Sequence, residues 1–200
     1  FRESSIAGNV IFPKSMELID DYAFYGCNFI EKAILPDSLT SIGKYAFYNC
    51  DRMTQVTFPK NLKTIGECCF EDCGTLKASP LPEGLLRIEN SAFANAFRFN
   101  TRLPKTLTTI GERAFMNCAI DSLFIPESLT SWIGDDYDKS YAFSDNNKLV
   151  YAEFPTSFYQ IPLQFIIAGC ENLKTLVFKS PTVVSAPAND DDYKERFLED

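Results

Sequence analysis

Seven cysteines and no histidine bound the chemistry open to this chain. Without an imidazole there is no Ser-His-Asp or Cys-His pair to activate a nucleophile, and no His-based metal site. G-x-S-x-G, P-loop and G-x-G-x-x-G patterns are absent as well. What remains is thiol chemistry, as disulfides or zinc, and oxygen chemistry, as calcium binding. Cys27, Cys50, Cys73, Cys118 and Cys170 all occupy the same position of a recurring segment. Stacked in a line at about 4.8 Å per step, they fall within disulfide reach. Parallel side chains do not meet the near-perpendicular S–S torsion, however, and thiols in a row do not make a tetrahedron. They are therefore expected to be free and to pack as small hydrophobes. Cys69 falls in a buried position, whereas Cys68 shares a column with Tyr45 and Arg113 and is expected to be exposed and reactive.

Asp135, Asp136 and Asp138 lie in an acidic insertion at 134–140 and could offer oxygens to calcium. The insertion lacks both the D-x-D-x-D-G order and a bidentate glutamate, so a solvated loop is the expected reading. Glu71 and Asp72 fall on turns and are expected to be solvated too. No cofactor, no metal and no enzymatic activity are expected.

The segments that must position these groups are copies of one another. Ala46-Phe47 recurs as Ala23-Phe24, Cys69-Phe70, Ala92-Phe93, Ala114-Phe115 and Ala142-Phe143, at spacings of 23, 23, 23, 22 and 28 residues, and Ile166-Ile167 closes the series. A proline keeps the same period at Pro13, Pro36, Pro59, Pro82, Pro104, Pro126 and Pro155. Such a repeat length predicts a solenoid, in which each coil buries its apolar face against its neighbours.

Each column has a physical reading. Val10-Ile11-Phe12, Ala33-Ile34-Leu35, Val56-Thr57-Phe58, Leu123-Phe124-Ile125 and Leu176-Val177-Phe178 are short β-strands. The proline after each has no N–H to continue a ladder. Leu39 and Ile42, with their counterparts, point back into the core, and the Ala-Phe segment reads as a single helical turn. Gly26, Asn49, Asp72, Asn95, Asn117, Asp145 and Gly169 then end it, because Gly, Asn and Asp tolerate the left-handed conformation.

The pattern L-x-x-[IV]-x-[FIL]-P-x-[SN]-L-T-x-I-G-x-x-A-F-x-x-C resembles the leucine-rich repeat of the BspA-like family of bacterial and protist surface proteins, over roughly residues 6 to 180. Local departures are Ser79-Pro80-Leu81 in place of a good strand, and Ala96 and Asn146 in place of the cysteine. The resemblance implies an α/β right-handed superhelix with a parallel concave sheet and short convex helical turns. It also implies an extracellular or cell-surface location and a role in binding or adhesion.

About eight coils at about 4.8 Å each give a sheet roughly 35 to 40 Å long. Residues 1–188 are expected to form one solenoid, and 189–200, NDDDYKERFLED, an acidic tail or a cap on the last coil. The chain begins inside a coil, as a piece of a larger protein would. Its net charge is −8, with 27 acidic against 19 basic residues and no basic stripe, so nucleic acid and anionic membranes are poor partners. No apolar run is long enough for direct membrane insertion. A monomer is expected.

Alternation along the strands sends one set of residues outward on the concave face. These include Ile11, Ile34, Gln55, Thr57, Arg102, Phe124, Tyr151, Glu153 and Val177. Aromatic residues and arginine are what interaction hot spots favour, and an exposed apolar strip marks an interaction surface. The expected function is non-catalytic recognition of a host, matrix or cell-surface protein. The alternatives are a structural spacer that displays a neighbouring domain, and a glycan-binding module in which Tyr151 and Phe124 stack on sugar rings.

Overall fold

The computed structural model describes residues 1–133, 140–156 and 166–179. The aspartates of the acidic insertion and the tail at 189–200 lie outside them. The described residues complete seven turns, marked by Phe24, Phe47, Phe70, Phe93, Phe115, Phe143 and Ile167, one fewer than the eight coils expected.

The runs before proline form β1 (Gly8–Ile11), β3 (Ile30–Ile34), β5 (Gln55–Thr57), β9 (Ser122–Phe124), β11 (Tyr151–Phe154) and β12 (Thr175–Phe178). All pair in parallel, but as two three-stranded sheets rather than one continuous sheet. The gap falls on the coils around Pro80 and Arg102. Pro80 has no N–H to give a ladder. The step from Phe99 to Pro104 is 5 residues against 6 from Ile30 to Pro36, one short of what the strand register needs.

A second sheet is longer than the first and is absent from the sequence-based expectation. It consists of β2 (Leu18–Ile19), β4 (Ser41–Ile42), β6 (Thr64–Ile65), β7 (Arg87–Ile88), β8 (Thr109–Gly111) and β10 (Ser131–Ile133), six strands in chain order. Its inward isoleucines, Ile42, Ile65, Ile88 and Ile110, are fully buried. Coils approach closely here: a Cβ on Gly66 would lie 2.6 Å from the Gly43 carbonyl carbon.

The expected helical turn is not helical. Tyr45 and Asn49 both have positive φ, at 54° and 53°, and Cys68 and Asp72 repeat this at 51° and 59°. Left-handed residues at both ends leave three residues between them, too few for an i to i−4 bond. The backbone instead makes tight turns, as from Tyr48 N–H to Tyr45 C=O at 3.3 Å. It also pairs with the next coil, as from Phe47 N–H to Cys69 C=O at 2.9 Å and from Phe70 N–H to Ala92 C=O at 2.8 Å. Hydrogen bonds therefore run along the solenoid on this side as they do in the sheets. The column of Gly, Asn and Asp has positive φ at all seven positions, as its residue types predict.

Inside, the phenylalanines lie over one another. Phe24, Phe47, Phe70, Phe93, Phe115 and Phe143 stack with ring centroids 5.2 to 5.3 Å apart and interplanar angles of 4 to 10°. The cysteines are free and buried, and they do more than fill space. Each thiol of the column donates to the carbonyl of a phenylalanine one coil back: Cys50 to Phe24 at 3.3 Å, Cys73 to Phe47 at 3.1 Å, Cys118 to Phe93 at 3.1 Å and Cys170 to Phe143 at 3.3 Å.

Asn146 takes the same place and is fully buried. Its Nδ2 donates to the Phe115 carbonyl at 2.8 Å and the Phe143 carbonyl at 2.9 Å, and its Oδ1 accepts from Ile120 N–H at 3.1 Å. Elsewhere the N–H corresponding to that of Ile120 turns back onto the cysteine-column residue, as Ile30 onto Cys27 at 3.2 Å and Met53 onto Cys50 at 2.9 Å. Between Cys118 and Ile120 the chain steps 2 residues instead of the 3 from Cys27 to Ile30. That turn bond is lost, and Asn146 supplies an acceptor that a thiol could not. The sequence reading treats Asn146 as a mere departure from the repeat, whereas it compensates for a deletion in the preceding coil.

Candidate interaction face

The outward residues of the first sheet sit where the alternation predicts. Ile11, Ile34, Gln55, Thr57, Arg102 and Phe124 are exposed, and Tyr151, Glu153 and Val177 are half-buried. They form two groups because the sheet is split. At one end Ile11, Ile34 and Thr57 lie in register across β1, β3 and β5, and Ile11 is 73% exposed. At the other end Phe124, Glu153 and Val177 lie in register across β9, β11 and β12.

The second group is organised and the first is not. The Phe124 and Tyr151 rings pack 5.3 Å apart at a tilt of 37°. The Arg102 guanidinium lies over the Phe124 ring, 5.5 Å from its centroid, a cation-π arrangement that holds the charge in place. The Tyr151 hydroxyl donates to Glu153 at 2.8 Å, and the Lys179 ammonium reaches the same carboxylate at 2.5 Å. The lysine and the tyrosine hold the Glu153 carboxyl below its usual range, and the carboxylate raises Lys179 above its own. Several of these residues line a cleft of about 500 Å³, whose walls combine Phe124, Leu103 and Ile125 with charged side chains.

Two comparisons bear on what this face belongs to. The model of the BspA type leucine rich repeat region, in 6 copies, matches residues 1–102 and 80–188. The chain belongs to the BspA-type leucine-rich repeat family. No curated protein matches it. Among solved structures, it is similar to a T. pallidum leucine-rich repeat protein (TpLRR), with 25% identity over 80% of this chain and 77% of that one and a TM-score of 0.68. It is also similar in fold to a leucine-rich repeat protein from Bacteroides ovatus, with 21% identity over 84% of this chain and a TM-score of 0.59. Only 53% of that Bacteroides chain is covered, so this chain spans about half its length.

In this BspA-type repeat chain the turn side carries a ladder of its own, which the sequence reading passed over. Tyr22 stacks on Tyr45 at 5.1 Å and Tyr25 on Tyr48 at 4.9 Å, with Arg2 over Tyr25 at 4.8 Å. The 23-residue spacing within each pair is the signal that would have found it. Cys68 continues this column but is 7% exposed, contrary to expectation. Burial first, and then a hydrogen bond to Glu71, push its thiol up to about 12. Tyr45 and Glu71 cover it, so its place on the turn side does not make it accessible. Among the described residues no group of three or more His, Cys, Asp and Glu side chains is placed to hold a metal ion.

Proposed function

We propose that this chain is a non-catalytic recognition module of the cell surface that binds a protein partner through the first-sheet face, acting as a monomer. The supporting observation is the packed cluster of Arg102, Phe124 and Tyr151 beside a cleft of about 500 Å³. Large rings and a guanidinium already fixed by their neighbours lose little freedom when a partner docks, which raises affinity without added area. The surface location rests on the family likeness. Arg102 covers one face of Phe124 and leaves less ring for a sugar to stack on, so a protein partner is favoured over a glycan. A spacer that binds nothing would have no use for a rigid aromatic cluster. Replacing Phe124 and Tyr151 together by alanine is expected to abolish capture of a partner that wild-type protein retains in a cross-linking pull-down. Equal retention by the two proteins would overturn this reading.

A further inference from the structure

The cleft is lined by three cations, Arg102, Lys105 and Lys179, and by three carboxylates, Glu83, Glu127 and Glu153. Glu153 is taken up by Lys179 at 2.5 Å and by the Tyr151 hydroxyl at 2.8 Å. Glu83 accepts the backbone N–H of Lys105 at 3.1 Å, and Glu127 accepts from the N–H and hydroxyl of Thr156 at 3.3 and 3.1 Å. Each rim carboxylate keeps its charge but has at least one oxygen already turned to a donor of the protein. The Arg102 and Lys105 side chains have no carboxylate within ion-pair distance among the described residues. The Arg102 guanidinium carbon lies 5.5 Å from the Phe124 ring centroid, and the guanidinium N–H groups make a planar fork. That fork fits both oxygens of a carboxylate.

We infer that the cleft receives an acidic side chain of the protein partner, its carboxylate on Arg102 and Lys105 and an adjoining apolar residue on Phe124, Leu103 and Ile125. The inference rests on the protein-recognition reading above. The apolar lining selects a carboxylate carried next to a hydrophobic group over a free inorganic anion. In a chain with a net charge of −8, these two cations without a carboxylate at ion-pair distance give an acidic side chain a place to dock.

The test is an NMR titration of the full isotope-labelled chain with an acetylated, amidated Glu-Leu dipeptide, its Gln-Leu counterpart, glucuronate and glucose. Glu-Leu is expected to shift the amides of β9 and β11 and to bind about tenfold or more tightly than Gln-Leu. Arg102→Gln is expected to remove that preference, and Lys32→Gln, at the far end of the same face, to leave it intact. Equal binding of the two dipeptides, or a preference that survives Arg102→Gln, would overturn the inference. Binding of glucuronate in place of Glu-Leu would also overturn it and would assign the cleft to an acidic glycan. If the Phe124 and Tyr151 double variant loses partner capture while the dipeptides bind alike, the recognition face stands and only the carboxylate assignment fails. If capture survives the double variant while Glu-Leu still binds, the cleft is an anion site and the recognition face fails.

Discussion

Replacing Asn146 by cysteine restores the residue that the repeat pattern prefers, yet it is expected to destabilise the protein. The side chain is fully buried and serves two backbone groups that have no other partner in this coil, the Ile120 N–H at 3.1 Å and the Phe115 carbonyl at 2.8 Å. An unsatisfied buried backbone group costs about 1 to 3 kcal/mol. Asn146→Ala orphans both groups, which sums to about 2 to 6 kcal/mol. Asn146→Cys lets a thiol donate to Phe115 as its relatives do, but leaves the Ile120 N–H without an acceptor, for about 1 to 3 kcal/mol. Urea unfolding should therefore rank wild type above Asn146→Cys above Asn146→Ala. Hydrogen exchange localises the effect: the Ile120 amide should exchange about 10- to 100-fold faster in Asn146→Cys, while the Phe47 amide, several coils away, should not change. Inserting one residue between Cys118 and Ile120 restores the usual turn and should rescue the cysteine variant. Wild type and Asn146→Cys unfolding at one denaturant concentration, with equal Ile120 exchange, would refute the reasoning.

Two further outcomes are expected. Native protein at pH 7.5 should leave all seven thiols unmodified by a disulfide-exchange reagent, Cys68 included, because every cysteine is buried and the Cys68 thiol is pushed up to about 12; labelling of Cys68 at the rate of a free thiol would show that Tyr45 and Glu71 do not cover it. Glu153 should titrate below the ordinary carboxylate value, first because of Lys179 and then because of Tyr151. A depressed folded value means that its contribution is present above the ordinary carboxylate range and is lost as pH falls through the folded value. Lys179→Gln should move the NMR midpoint of Glu153 upward, and an unmoved midpoint would contradict the pairing.

Features that depend on the period alone were legible in the residues. The phenylalanine stack, the line of thiols and the left-handed column at Asn49, Asp72 and Asn95 follow from equivalent positions lying one above another. The outward set on the first sheet followed from strand alternation, and Phe124, Arg102 and Tyr151 do face one side. What failed depended on local conformation. The strands of the second sheet are mostly two residues long, as in Ser41–Ile42, too short for alternation to register. The turn at 45–49 carries residues that suit one turn of helix, and nothing in Tyr45 announces a positive φ, because tyrosine lacks the tolerance for it that Gly, Asn and Asp have. The cluster around Arg102 needed distances. Its members come from coils at 102, 124, 151 and 179, and which charges pair and which are left over is decided by side-chain reach.

Backbone hydrogen bonds joining consecutive coils in the second sheet and along the turns have a consequence for how such a gene can change. A duplicated stretch of 23 codons, the interval from Phe24 to Phe47, adds one rung whose upper and lower surfaces match those already present. Unequal recombination between copies can thus lengthen or shorten the rod by about 4.8 Å at a time without redesigning any contact. A deletion within one copy, as between Cys118 and Ile120, instead leaves a backbone group unmet, and here Asn146 of the adjoining copy meets it.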